Sequence, residues 1–142
     1  MKKIFFLAAA MLLTLAASAE VIPANDSRVT YVGRTQVIDN TVSFDWTATY
    51  FRIAFSGNSL TMRASDTKWD ATPEMAAKRH NYYNVWIDSP TSAEPHRIIE
   101  VAGNDTVIEL IDPAYLKKSR RAVHEVIVQK RTEGEQGKTT IH

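Results

Sequence analysis

From residue 29 onward the chain is a succession of short runs in which apolar and polar residues alternate, the period of a β-strand rather than a helix. Residues 41–46 put Val42, Phe44 and Trp46 on one face and Thr41, Ser43 and Asp45 on the other, which predicts a strand with one wet side. Residues 50–55 and 60–64 alternate around Ser56-Gly57-Asn58-Ser59. A two-residue turn at Gly57-Asn58 fits a hairpin there, with glycine supplying the positive φ. Residues 29–37 read as a strand interrupted by Gly33, which marks a bulge or a close backbone approach. Asp39-Asn40 is a turn signal. Residues 81–88 carry aromatics on both parities, the pattern of a strand covered on both sides or one whose outer face is a platform. Residues 97–102 and 106–111 are two further short strands about Gly103-Asn104-Asp105. A closing strand from Ala122 has a β-branched core over 123–128, then turns abruptly into Lys130-Arg131-Thr132-Glu133.

Helical signals are few. Residues 66–80 read as a surface excursion in which Thr72 caps a short helix with Pro73 at its first position. Asp112 and Pro113 repeat that arrangement for one more short turn. The expected fold class is therefore all-β, a sandwich of about eight short antiparallel strands with one or two short helical turns.

The N-terminus changes the picture of compartment. Lys2 and Lys3 precede an almost purely apolar run over 4–17, followed by Ala17-Ser18-Ala19. That is the layout of a secretory signal peptide, too short for a membrane span, so cleavage is expected near Ala19 and the product is exported, periplasmic or extracellular. Without Lys2 and Lys3 the 17 basic residues become 15, against 16 acidic ones. That balance offers no electrostatic footprint for nucleic acid. No cysteine is present, which excludes disulfides, thiol catalysis and cysteine-ligated metal centres.

Motifs for chemistry are sparse. There is no Gly-x-Ser-x-Gly elbow and no Gly-Asp-Ser block, and His80, His96, His124 and His142 show no zinc-ligand spacing. No cofactor and no metal site are expected; Asp66 and Asp70 could hold a structural calcium but lack the spacing of a known calcium loop. The ring of His124 is expected to hydrogen-bond the end of a neighbouring strand or a loop carbonyl. Lys130 and Arg131 beside Glu133 and Glu135 read as a salt-bridged turn. Trp69, Tyr82 and Trp86, with Asn84 and Asn81 nearby, are either core and edge aromatics or a surface on which sugar rings stack.

The blocks Tyr31-Val32-Gly33-Arg34, Trp46, Phe55-Ser56-Gly57, Asn81-Tyr82-Tyr83-Asn84-Val85 with Asp88, and His124 with Lys130-Arg131-Thr132-Glu133 follow one another as in a known family. The chain resembles the N-terminal domain of carbohydrate esterase family two, secreted two-domain acetyl esterases of plant polysaccharides such as acetylxylan. The resemblance implies a jelly-roll-type sandwich in which Tyr31, Gly33, Arg34, Trp46, Asp88, His124, Lys130, Arg131 and Glu133 serve the domain's structure. It also implies a partner, an SGNH-type catalytic domain carrying the nucleophile, of which no position here is a counterpart. The expected division is a signal peptide over 1–19, a sandwich over 20–137 and the start of a linker to that domain over 138–142. Such a chain would be inactive alone. A stand-alone carbohydrate-binding module with Trp69, Tyr82, Trp86 and Asn84 as contacts, or a purely structural interaction domain, are the other readings.

Overall fold

A computed structural model describes residues 19–67, 72, 74 and 80–142. Residues 1–18 of the expected signal peptide, Trp69, Asp70 and all but Thr72 and Glu74 of the expected helical turn at 72–79 lie outside the described residues. The described chain forms strands β1 (Val29–Val32), β2 (Gln36–Ile38), β3 (Thr41–Phe44), β4 (Tyr50–Phe55), β5 (Thr61–Thr67), β6 (Asn81–Ile87), β7 (Arg97–Val101), β8 (Thr106–Glu109), β9 (His124–Lys130) and β10 (Lys138–Ile141). They make two five-stranded antiparallel sheets, β1-β4-β9-β6-β7 and β2-β3-β10-β5-β8. This is the all-β sandwich that the alternation predicts. Helix α1 (Pro113–Lys118) begins where Asp112 accepts a hydrogen bond from the Ala114 N–H at 2.8 Å, as the Asp-Pro signal indicates.

The core lies between the sheets, and β9 organises the first of them. The pleat turns His124, Val126, Val128 and Lys130 inward. Val126 sits between Ile53 of β4 and Ile87 of β6, and Val128 between Phe51 and Val85. All six side chains are buried. Val42, Phe44, Met62, Ala64 and Ile141 face them from the second sheet. Burying a valine or isoleucine side chain of this kind contributes about 1.5–3 kcal/mol.

Several sequence expectations are corrected. Residues 50–55 and 60–64 do not form a hairpin: β4 belongs to the first sheet and β5 to the second, so residues 56–60 cross from one sheet to the other. Alternation identifies a strand with one buried face, and strands of both sheets turn that face to the same interior, so the pattern does not choose the partner. The strands number ten rather than about eight. The chain leaves the first sheet at Gly33, with φ +114° and the Thr49 side chain packed where a Cβ would stand, and thereby splits the expected strand 29–37 into β1 and β2. The tenth strand comes from residues 138–142, expected to open a linker. Instead β10 is the middle strand of the second sheet, bonded to β3 and β5, with Thr139 and Ile141 buried. Threonines are strand formers, but a four-residue run is too short to show an alternation. The face of 41–46 expected to be wet is also dry at Ser43, whose hydroxyl meets that of Thr140 at 2.8 Å.

A chain ending at Gly137 loses β10 and leaves the facing edges of β3 and β5 unpaired. It is expected to lose its cooperative thermal transition by circular dichroism; a sharp melt like that of the 20–142 chain would contradict the central placement.

Candidate functional site

The inward ends of β9 are both polar, and each builds a cluster at one end of the sandwich. His124 is 3% exposed and Lys130 is fully buried. Their partners come from the two ends of β6, the strand hydrogen-bonded alongside.

At the first end, Asp88 follows β6 in the left-handed region, φ +53°. That turn clasps it to β9: the Asp88 N–H donates to the Glu125 carbonyl at 2.9 Å, and Asp88 Oδ1 accepts from the Glu125 N–H at 3.0 Å. Asp88 Oδ2 lies 2.7 Å from His124 Nδ1 and 3.8 Å from the Arg121 guanidinium. Burial pushes the Asp88 carboxyl up, but the His124 and Glu125 hydrogen bonds and the charges of His124 and Arg121 outweigh it and hold it below its usual range. Phe55 and Tyr115 pack on the His124 ring at 5.7 and 6.2 Å between centroids. His124 thus bonds the end of a neighbouring strand, as expected, through the Asp88 carboxylate.

An aspartate that fixes the tautomer of a histidine is half of a hydrolytic triad. The ring opens on a cavity of about 520 Å³ lined by Gly57, Asn58, Pro113, Leu116, Lys117, Arg121 and Ala122 besides itself. None of these carries a hydroxyl or thiol, and the hydroxyl of Tyr115, whose ring packs on the imidazole, points to Asp88 Oδ2 at 3.5 Å.

At the other end, the Lys130 ammonium donates to Asn81 Oδ1, to Thr132 Oγ1 at 3.2 Å, and to the carbonyls of Thr132 and Glu133 at 3.4 Å. Asn81 Nδ2 donates to Asp66 Oδ1 at 2.5 Å, and the Thr132 hydroxyl donates to Asn81 Oδ1 at 2.8 Å. Desolvation pushes the lysine pKa down to about 8, against the opposing charges of Asp66, Asp45 and Glu133. The salt-bridged turn expected at 130–135 is therefore corrected at Lys130: it is the last inward residue of a strand and bonds the Glu133 carbonyl, not its carboxylate. Arg131 is exposed, and Glu133 Oε2 accepts from the Thr47 hydroxyl at 3.0 Å.

The remaining named residues divide between core and surface. Tyr31 packs between Phe44 and Phe51, and its hydroxyl donates to the Ala24 carbonyl at 3.0 Å. Arg34 lies 5.9 Å over the Trp46 ring beside an open depression lined by residues 32–34 and 46–49. Trp46 is 57% exposed, because β3 ends at Phe44. Of the sugar-contact candidates, Trp69 lies outside the described residues, and Tyr82 and Asn84 share the outer face of β6, Tyr82 half exposed. Trp86 is corrected: it is 3% exposed with its indole N–H on the Ala93 carbonyl at 2.9 Å, so it has no face to offer a sugar. Trp46, expected to serve the domain's structure, is the exposed tryptophan among the described residues. The sequence signal for it was present, since it begins the polar run Trp46-Thr47-Ala48-Thr49.

The profile of the carbohydrate esterase 2 N-terminal family matches residues 31–142. Among solved structures, a family two carbohydrate esterase from Cellvibrio japonicus aligns with a TM-score of 0.63 at 19% identity, covering 83% of this chain and 30% of that one. A family two carbohydrate esterase from Clostridium thermocellum, in complex with cellohexaose, aligns with a TM-score of 0.60 at 16% identity, covering 80% and 29%. A carbohydrate esterase family 2 enzyme plus carbohydrate binding domain from Corynascus thermopiles (Myceliophthora fergusii) gives 0.50 at 23% identity, covering 80% and 28%. The chain thus spans less than a third of the length of these structures. No curated protein sequence matches it.

The buried lysine sets a pH dependence. Between pH 8 and 10.5 the unfolded chain holds a proton on Lys130 that the folded chain has released, so raising the pH favours folding. The stability of the wild-type chain is expected to rise by roughly 1–2 kcal/mol between about pH 8 and 9.5 in urea denaturation. Tyr31 and Tyr83, whose hydroxyls burial pushes up, act in the opposite sense only above their ordinary range near pH 10. Lys130→Met should flatten this rise; an equal rise in the variant would refute the assignment.

Proposed function

Because the chain belongs to the carbohydrate esterase 2 N-terminal family, we propose that it is the accessory N-terminal domain of an exported polysaccharide acetyl esterase. The observation that carries this reading is the family match over 31–142, which runs through β10 and so takes in both sheets of the sandwich except the first two residues of β1. Deacetylation of acetylxylan-like glycans falls to an SGNH-type catalytic domain, to which no part of this sandwich corresponds. The geometry at His124 supports that division of labour. Asp88 and His124 are paired at 2.7 Å, but the cavity that His124 borders is lined by no serine, threonine or cysteine. Their work is to join β6, β9 and α1 at one end of the domain. The N-terminal 19 residues act as the export signal, which mass spectrometry of the secreted product would show as a chain beginning at Glu20.

A second reading has its own observation. The exposed Trp46 ring with Arg34 over it is the kind of surface that binds sugar rings, so the sandwich itself also contacts glycan. It differs from the sequence expectation in the residue used, Trp46 in place of Trp86.

The purified 20–142 chain is expected to hydrolyse 4-nitrophenyl acetate no faster than buffer. Turnover well above buffer that disappears in His124→Ala would overturn the accessory reading. In affinity electrophoresis the chain is expected to be retarded by xylan, with Trp46→Ala losing most of the retardation; equal mobility with and without glycan would overturn the second reading alone.

A further inference from the structure

We infer that the cavity at the His124 end of the sandwich is a binding site for a hydroxylated carboxylate of monosaccharide size, such as a hexuronate. The inference rests on the glycan-directed reading above for the sugar, and on the cavity itself for the carboxylate.

His124 is almost wholly buried, yet it lines the cavity. Its Nδ1 is committed to Asp88, which leaves the other ring nitrogen, Nε2, for a further partner. No hydrogen-bond partner of Nε2 is found among the described residues, and the residue borders the cavity, so a partner has to come from that side. A ligand hydroxyl supplies it. The histidine cannot turn away to find another partner, because Asp88 is locked onto Glu125 from both its backbone and its side chain.

The wall beside it is cationic. Lys117 and Arg121 line the cavity, and they belong to the run Lys117-Lys118-Ser119-Arg120-Arg121, which contains no acidic residue. No carboxylate lines the cavity, and the oxygens of Asp88 behind His124 are engaged by His124, Glu125 and Arg121. A net positive wall with one ring nitrogen open to a hydroxyl selects a molecule carrying both a carboxylate and a hydroxyl. The rest of the lining, Gly57, Pro113, Leu116 and Ala122, is apolar and suits the C–H face of a sugar ring, while Asn58 adds one amide. A volume of about 520 Å³ accommodates a single pyranose with room for its link to a neighbour.

The test is calorimetric titration of the 20–142 chain with sodium glucuronate, glucose and sodium acetate in turn. Glucuronate is expected to bind in the millimolar range, glucose and acetate much more weakly. Lys117→Ala, a change at an exposed position, is expected to weaken glucuronate binding about fivefold with an unchanged melting temperature. His124→Gln is expected to abolish binding; should that variant fail to fold, the Lys117→Ala comparison decides. Glucose binding as tightly as glucuronate would overturn the carboxylate, and acetate binding as tightly would overturn the sugar. No heat with glucuronate at tens of millimolar, or unaltered affinity in Lys117→Ala, would overturn the site. An acidic protein surface as the true occupant would appear as that same lack of heat. None of these failures touches the accessory-domain reading, which stands or falls on the ester assay.

Discussion

The inward face of β9 is the constraint on which the rest of the domain depends. A strand turns every second residue to one side, so placing Val126 and Val128 in the middle of the core forces His124 and Lys130 inward as well. Two groups with a strong claim on water are thereby carried into the interior, and each must find partners there. β6 meets both needs at once. Its first residue, Asn81, takes the lysine, and Asp88, one step past its end, takes the histidine. The β6–β9 pair is therefore fixed at both ends by side chains as well as along its length by the ladder.

This arrangement sets the register. A slip of one residue in β9 would expose Val126 and Val128, bury Gln129 and Ile127, and strand Asn81 and Asp88 without partners. An all-valine face would tolerate displacement by two residues. Polar residues at the two ends do not, because the carboxylate that suits His124 and the amide oxygen that suits Lys130 are seven residues apart on β6. The cost is the desolvation of an ammonium, visible in its lowered pKa.

Most of the fold was legible because alternation is a local signal and nearly every strand here has one buried face. What alternation does not contain is partnership. Residues 50–55 and 60–64 read correctly as strands and wrongly as a hairpin, since a five-residue connection serves a turn within a sheet as well as a crossing between sheets. Lys130 was misplaced for a related reason. After the run Val126-Ile127-Val128 a lysine reads as the end of the strand, and only its partners, Asn81 on β6 and Thr132 just beyond, make burial tolerable. The Asp112-Pro113 start of α1, by contrast, was legible because a cap and its helix are neighbours in sequence. The His124 cluster was half legible: the histidine was noticed, but Arg121 and Lys117 were not, although the acid-free basic run that holds them was in view.

The same geometry separates the two ends of the domain in kind. Around Lys130 the ammonium bonds Asn81, Thr132 and the Glu133 carbonyl within the protein and is sealed from solvent. Around His124 the aspartate is satisfied several times over while one ring nitrogen is left facing open space. A structural need for a residue to hold Asp88 would be met as well by an arginine or a lysine, both of which are always donors at neutral pH. Histidine differs from them in presenting a second nitrogen on the far side of the ring, able to accept. That second nitrogen has no use in the latch between β6 and β9. It gains one only if something outside the sandwich comes to meet it.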